Sequence, residues 1–200
     1  MPKDTYFHLP EAKQKRIFDA AMSEIISVPI REVSINRIVQ KAEISRGSFY
    51  QYFEDKQDLI MYALRDGIRF VKGEIDRHIR ESHGDIFQAA TQILEGVFSV
   101  GKNEVYRNTL RNVLLESNAG ECGHWFLLQL QLDILDLMER KMDKDMLTLE
   151  NPEEFHHLAK LIFVLLKEAA ISYLYDGKDV ELHREEFASQ INMMKKGVLK

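Results

Sequence analysis

The chain has 200 residues, of which 45% are hydrophobic and 30% charged, a composition typical of a folded globular protein and not of a disordered one. No apolar run approaches the roughly 18 to 20 residues that cross a bilayer, and the N-terminal residues do not resemble a signal peptide. The single cysteine, Cys122, cannot form an intrachain disulfide. We therefore expect a cytoplasmic protein with no membrane partner. The net charge of −5 is uneven: residues 1–53 carry eight basic and six acidic residues, a balance of +2, whereas the rest carry 19 and 26, which permits nucleic-acid binding by the N-terminal part alone.

Helical periodicity runs through nearly the whole chain and no stretch shows sustained strand alternation, so the sequence predicts an all-α protein. Ser34, Ser45 and Asp55 are favourable N-caps for two short helices and a long one, because each side chain can accept a hydrogen bond from the first turn. Asn151-Pro152-Glu153-Glu154 is another helix start, with a cap, a proline at the first position and an acidic first turn. We expect nine helices, three in the N-terminal part and six behind them: about 10–27, from 34, from 45, 55–81, 85–100, 103–117, 124–143, 152–177 and 179–198.

Residues 34–59, SINRIVQKAEISRGSFYQYFEDKQDL, fit a helix-turn-helix whose two short helices are joined by Ala42-Glu43-Ile44. The apolar residues fall on the inner faces of the two helices: Ile35, Ile38, Val39 and Ala42, then Ile44, Phe49 and Phe53. The outer face and ends of the second helix are left with Arg46, Ser48, Tyr50, Gln51 and Tyr52. Arginine pairs with guanine in the major groove, small groups permit close approach and hydroxyls bind phosphates, so this helix is typical of DNA recognition. Alternatively, the tyrosines lie at the edge of a core and Arg46 is a solvated surface charge.

The same segment resembles the signature of the tetracycline-repressor (TetR/AcrR-like) family of bacterial transcriptional regulators. In that signature a Ser/Thr-capped helix leads through a short turn to the pattern S-x-G-x-x-Y-x-x-F, followed by K-x-x-L. The matching residues are Ser34, Ser45, Gly47, Tyr50, Phe53, Lys56 and Leu59. The specific match covers about residues 10–60, and two positions depart from the pattern: Glu43 and Pro29 stand where the family usually has glycine. The resemblance implies a helix-turn-helix DNA-binding domain, residues 1–54, and a helical effector-binding and dimerisation domain, residues 55–200.

Carried over by position, the resemblance also implies which residues contact operator DNA. Arg46 and Ser48 would read bases, with Gly47 and Tyr50 near the DNA surface. The remaining residues would cap the helix or contact phosphates and flanking edges, which gives the set Arg37, Ser45, Arg46, Gly47, Ser48, Tyr50, Gln51, Tyr52 and Lys56. The resemblance further implies that the partner is double-stranded operator DNA with a palindromic sequence, and that the regulator is a repressor, as is usual in the family.

The helix predicted at 152–176 is apolar on more than one stripe, and the last helix has apolar residues at matching spacing. An outer helix of a monomer needs only one stripe, so this pair could face its own core and a twofold partner at once. We expect a homodimer, as in the family, with recognition helices about 34 to 36 Å apart. The expected interface residues are Leu165, Ala169, Phe187, Ile191 and Met194. The alternative is that the wide stripes only mark a deeply buried helix.

Aromatic residues in the middle helices are candidates for the effector cavity that the family places there. The expected lining residues are Phe87, Phe98, Tyr106, Arg111, Trp125, Phe126, Phe163 and Tyr173. Ligand pockets are mostly apolar with a few polar groups, although packing in the core explains any single one of these aromatics as well. Control by a protein partner, with no small effector, is the alternative to an unknown small-molecule effector.

Catalysis is not expected. No H-E-x-x-H motif, phosphate loop, dinucleotide fingerprint or G-x-S-x-G occurs in the sequence. His156 and His157 are adjacent and point about 100° apart on a helix, and no third group orients Cys122 with His124. We therefore expect no enzyme activity, no metal site and no cofactor.

Overall fold

Helices account for nearly all regular structure in the described part of the chain, which is residues 1–114, 121–176 and 179–199 of the computed structural model, with the backbone alone for 121–127, 129 and 176. The ten α-helices there are α1 (Asp4–Phe7), α2 (Glu11–Ser27), α3 (Ile35–Lys41), α4 (Arg46–Tyr52), α5 (Lys56–Glu81), α6 (Ile86–Gly101), α7 (Glu104–Leu114), α8 (Glu121–Lys141), α9 (Pro152–Asp176) and α10 (Val180–Val198). A 3-10 turn at Ile30–Glu32 precedes α3, and one antiparallel bridge joins Leu147 to Leu199. The predicted all-α fold is confirmed. The nine predicted helices correspond to α2–α10, whereas α1 was not predicted, and the predicted end of the 103–117 helix lies outside the described residues.

The chain forms two compact units. Unit 1 consists of Met1–Phe70 with Asn112–His124, and unit 2 of Val71–Arg111 with Trp125–Lys200. The chain first passes from unit 1 to unit 2 within α5, whereas the domain boundary expected from the resemblance precedes that helix.

Unit 1 is built around an apolar core beneath α4. Helix α2 packs on α3, while both α3 and α1 pack on α4. Tyr6, Ile17, Ile38, Phe49 and Phe53 contribute side chains that are fully buried. Because Phe49 and Phe53 lie four residues apart, they occupy one face of the segment and leave the opposite face of α4 free to meet another molecule.

The turn between α3 and α4 depends on Glu43, which has a φ of +54°. Its neighbours close the turn: the Ala42 N–H donates to the Ile38 carbonyl at 2.8 Å and the Ile44 N–H to the Val39 carbonyl at 3.0 Å. A left-handed conformation costs a non-glycine residue about 1–2 kcal/mol, so the departure from glycine is accommodated at the expense of local strain. The Glu43 carboxylate is exposed and lies 3.7 Å from Arg16.

Unit 2 is organised by α6, which packs on α9 and α10, and by the packing of α9 on α10. Phe87, Phe98 and Phe187 are buried between these helices. Arg184 of α10 forms a bidentate pair with Glu95 of α6, with N···O distances of 2.5 and 2.9 Å. This pairing fixes the register of the two helices, because the planar guanidinium matches both carboxylate oxygens. No helix in the described ranges is long and apolar enough to span a membrane.

Candidate nucleic-acid interface

Helix α4 presents one polar face that begins at a well-formed N-cap. The Ser45 Oγ accepts a hydrogen bond from the Ser48 backbone N–H at 2.9 Å and lies 2.9 Å from the Ser48 Oγ. Arg46, Gly47, Tyr50 and Gln51 are exposed, and Ser48 is half-buried. The structure thus brings together five of the residues that the sequence placed on the recognition surface.

The Arg46 guanidinium is held above this face by two neighbours. Its Nη1 donates to the Asn36 Oδ1 at 3.0 Å, and its Nη2 donates to the Tyr50 hydroxyl at 3.3 Å. The guanidinium carbon lies 5.9 Å from the centre of the Tyr50 ring, a cation–π distance. Sequence reasoning missed Asn36, because the contact joins side chains ten residues apart on different helices.

Tyr52 differs from the expectation that it lies on the outer face of α4. It is only 6% exposed, because it follows Phe49 by three residues and shares its buried face. Its hydroxyl accepts a hydrogen bond from the Lys13 Nζ at 3.1 Å, and the same ammonium group lies 5.5 Å from the ring centre. Tyr52 therefore supports the helix from below and connects it to α2.

The C-terminal end of α4 is capped by the first residues of the chain. The Lys3 backbone N–H donates to the Tyr52 carbonyl at 2.8 Å, the Lys3 Nζ donates to the Tyr50 carbonyl at 3.0 Å, and the Thr5 hydroxyl donates to the Gln51 carbonyl. The last carbonyls of a helix have no partner within it, so these donors satisfy three otherwise open acceptors. No local sequence signal predicts this contact, because about 47 residues separate the partners.

Arg37 and Lys56, two expected phosphate contacts, already hold parts of unit 1 together. The Arg37 Nε donates to the Glu24 Oε1 at 2.5 Å, and its Nη2 donates to the Glu32 carbonyl at 2.6 Å. Glu24, only 2% exposed, also accepts the Ser34 N–H at 3.2 Å, so a buried carboxylate ties α2 to the start of α3. The Lys56 Nζ donates to the Arg31 carbonyl at 3.0 Å. The Arg37 side chain is still half exposed.

In unit 2 the expected effector residues do not share one environment. Phe98 and Tyr173 lie edge to face with ring centres 4.9 Å apart, and the Tyr173 hydroxyl donates to the Phe98 carbonyl at 3.2 Å. Phe87 and Phe163 are also buried, but Tyr106 is 59% exposed. Arg111 is half-buried, and the side chains of Trp125 and Phe126 lie outside the described residues.

A pocket of about 250 Å³ lies elsewhere in unit 2, between α5 and α8. Its apolar lining is Ile75, Leu130, Ile134 and Leu137, and its polar lining is Lys72, Asp76, Asp133, Asp136 and Arg140. The sequence did not single out these residues, because a leucine-rich helix gives no indication of which leucines border open space. The described side chains include no group of three or more His, Cys, Asp or Glu residues placed to hold a metal ion.

The outer faces of α9 and α10 carry exposed apolar side chains, although not those that the sequence predicted. Phe187 and Ile191 are 2% and 3% exposed and belong to the core of unit 2, while Leu165, Ala169 and Met194 are half-buried. The exposed apolar residues include instead Leu161, Val164, Leu182 and Met193, at 58%, 52%, 57% and 71%. These residues lie on the two helices that the sequence indicated as apolar, but their faces differ, because a shift of one residue turns a side chain by about 100° about the helix axis.

Two family models match the chain. Residues 17–63 match the model described as "Bacterial regulatory proteins, tetR family", and residues 85–198, more than half of the chain, match "Tetracyclin repressor-like, C-terminal domain". Over 91 residues the chain is 30% identical to the HTH-type transcriptional regulator BetI of Cronobacter sakazakii, and this matched stretch covers 43% of each protein. Over 58 residues it is 31% identical to the uncharacterized HTH-type transcriptional regulator YxbF of Bacillus subtilis, covering 29% of this chain and 15% of that one. The matched stretches thus span less than half the length of these two relatives.

Solved structures with the same fold cover nearly the whole chain. SmeT in complex with triclosan superposes with a TM-score of 0.69 at 17% identity, over 95% of this chain and 93% of that one. SmeT is the repressor of the multidrug efflux pump SmeDEF of Stenotrophomonas maltophilia. A TetR-family transcriptional regulator from Streptomyces coelicolor superposes with a TM-score of 0.67 at 17% identity, over 98% and 95% of the two chains. At these identities the likeness establishes the fold.

Proposed function

The chain belongs to the tetR family of bacterial regulatory proteins, and from this premise we propose that it is a dimeric transcriptional repressor whose α4 reads a palindromic operator in the major groove. The observation that carries the proposal is the polar face of α4, where Arg46 is held outward above a core of buried aromatic side chains. A helix capped at both ends keeps its shape when it enters the groove, so little ordering cost is added on binding. A regulator that binds operator sequences in bacterial chromosomal DNA would act in the cytoplasm.

We assign the contacts according to what each side chain can offer. Arg46 and Ser48 read base edges, Gly47 allows close approach, and Tyr50 and Gln51 reach phosphates or flanking edges. Arg37 and Lys56 add positive charge beside the backbone of the DNA while they hold unit 1 together, and Ser45 and Tyr52 support α4. Residues 1–54 are thus the DNA-reading part, and residues 55–200 the regulatory and dimerising part.

Dimerisation is proposed through the outer faces of α9 and α10. Leu161 and Val164 are three residues apart and Leu182 and Met193 eleven apart, so each pair lies on one side of its helix. Exposed apolar stripes on two neighbouring helices suit a self-complementary twofold interface. We expect the double variant Leu161→Glu, Val164→Glu to sediment as a monomer and to lose operator affinity. Leu128→Glu, at a comparably exposed position on α8, is the control and should remain dimeric.

A small-molecule effector is proposed to bind in the α5–α8 pocket and to release the DNA. Two facts support this: the pocket is lined by both apolar and charged side chains, and SmeT, a neighbour in fold, is known in complex with triclosan. The effector must bind one arrangement of the two DNA-reading parts more tightly than the other, and α5, which carries both Lys56 and the pocket wall, is suited to transmit that preference.

The pocket assignment is tested by thermal shift with a panel of organic compounds, because a ligand of the native state must raise the melting temperature. Leu137→Trp fills the pocket and should abolish the shift, whereas Leu132→Trp on the exposed side of the same helix should not. If no compound stabilises the wild type, and a bacterial protein releases the wild type from DNA, the regulator is controlled by a protein partner instead.

DNA reading is tested first on the upstream region of the protein's own gene and on a randomised DNA library, over a salt series. Arg46→Ala should weaken specific binding by about 1–3 kcal/mol, and wild-type affinity should fall steeply with salt. Arg80→Ala, a change at an exposed arginine of unit 2, should bind like the wild type. Failure of the wild type to select any sequence from the library would refute the proposed function.

A further inference from the structure

We propose that Asn36 is a specificity-determining positioning residue: from α3 it holds the Arg46 guanidinium of α4 in the orientation in which Arg46 reads its base pair. This inference rests on the proposed function. Asn36 belongs to the first of the two helices, outside the recognition helix, and its side chain is exposed. Its Oδ1 accepts a hydrogen bond from the Arg46 Nη1 at 3.0 Å.

The backbone that carries Asn36 is itself firmly placed. Asn36 is the second residue of α3, directly after the N-cap Ser34 and Ile35. The Ser34 N–H donates to the buried carboxylate of Glu24 at 3.2 Å, and Arg37 binds the same carboxylate at 2.5 Å. Asn36 is therefore flanked on both sides by residues anchored to α2, so its backbone is a fixed base from which the side chain reaches the guanidinium.

The second support of the guanidinium comes from α4. The Tyr50 hydroxyl accepts from the Arg46 Nη2 at 3.3 Å, and the Tyr50 ring lies edge to face against the buried Phe49 with ring centres 5.2 Å apart. Asn36 and Tyr50 thus hold two different nitrogens of one planar group. Two such contacts set the direction of the plane, whereas Tyr50 alone would leave the guanidinium free to turn about one hydrogen bond.

The donors that remain on Arg46 are sufficient for base reading. A guanidinium has five N–H groups, two on each terminal nitrogen and one on Nε. With one taken by Asn36 and one by Tyr50, three are left, and a bidentate contact with guanine O6 and N7 needs two. The neutral amide of Asn36 also leaves the positive charge of Arg46 intact, whereas a carboxylate there would compete with the DNA for it.

The test is a double-mutant cycle on the full-length protein, with Asn36→Ala, Arg46→Ala and the double variant. Operator affinity is measured at several salt concentrations, and base preference is measured on operators randomised one position at a time. We expect Asn36→Ala to reduce discrimination about two- to tenfold, the effect of one hydrogen bond, at the same base pair whose preference Arg46→Ala abolishes. The slope of affinity against salt should stay unchanged, since no phosphate contact is lost. In the Arg46→Ala background, Asn36→Ala should have no further effect.

Asn36→Asp separates reading from folding. An acidic residue in the first turn of α3 favours the helix, so this variant should melt no lower than the wild type. Its carboxylate should pair with Arg46 and weaken specific binding more than Asn36→Ala does.

An equal loss from Asn36→Ala with and without Arg46 would overturn the inference, because Asn36 would then contact DNA itself. A change of preference at a different base pair, or no change of preference, would overturn it as well. In each of these cases the wild type still selects a sequence, so the failure is distinct from a failure of the proposed function.

Discussion

Gly47→Ala separates the stability of the DNA-reading part from its fit to DNA. Gly47 is the second residue of α4, and a Cβ built on it would meet only the Ser45 Oγ, at the ordinary van der Waals distance of 3.7 Å. Alanine therefore fits without displacing any neighbour. Since alanine favours a helix over glycine by up to about 1 kcal/mol, less near a helix end, the free energy of unfolding should rise by up to that amount. In a protein of this size about 1 kcal/mol corresponds to roughly 2–4 °C in melting temperature.

The same methyl group should impair operator binding, because Gly47 is proposed to lie against the DNA. Forcing one extra methyl into a packed contact costs about 1–3 kcal/mol, which corresponds to a loss of roughly 5- to 150-fold in affinity. Melting temperature and operator affinity are measured at one protein concentration on the wild type, Gly47→Ala and Gly67→Ala. Gly67 lies in α5 with open space around its Cβ position, so its variant should gain stability and bind DNA normally. Unchanged affinity in Gly47→Ala would refute the close approach, and a lowered melting temperature would refute the geometry of α4.

Three further predictions concern contacts inside unit 1 or inside unit 2. Glu24→Gln should lower the free energy of unfolding by about 1–3 kcal/mol in chemical denaturation, because a buried carboxylate loses its charge beside Arg37, whereas the exposed Glu43→Gln should change it by less than about 0.5 kcal/mol. Gly101→Ala should destabilise unit 2 by about 1–3 kcal/mol, because its Cβ would lie 2.4 Å from the Tyr173 ring; Gly73→Ala, with open space, should not, and equal melting temperatures would contradict this packing. Burial lowers the pKa of His78 below its usual 6.5, with a smaller contribution from Arg77. As the pH is lowered through 6.5, the unfolded state therefore binds more protons than the folded state, and the free energy of unfolding should decrease. Urea denaturation at pH 7.5 and 5.5 should show a smaller loss for His78→Gln, and an identical loss would exclude this residue as a cause.

The helix-turn-helix was readable from the sequence because its determinants are local. Ser34 and Ser45 cap helices within three residues of themselves, and Phe49 and Phe53 repeat at helical spacing. α1 escaped prediction for the opposite reason: it is four residues long, and its position is fixed by contacts with α4 across almost fifty residues. The burial of Tyr52 was missed because a tyrosine can lie either in the core or on the solvent-exposed surface. In this protein its contacts with Lys13 and Tyr6, which are distant in sequence, place it in the core.

In unit 2 the sequence determined which helices are apolar on several sides, but not how they are rotated. Periodicity fixes the angle between residues of one helix, whereas the direction of that helix's faces depends on its neighbours. The burial of Phe187, the exposure of Leu161 and the packing of Tyr173 against Phe98 all followed from the way α6, α9 and α10 meet. The α5–α8 pocket likewise exists only where side chains fail to fill the space between two helices. The sequence by itself thus determined the helical fold, the recognition helix and the family signature, all of which arise from residues within a few positions of one another. Only the tertiary structure decided which side chains are free to bind, because exposure is set by residues distant along the chain.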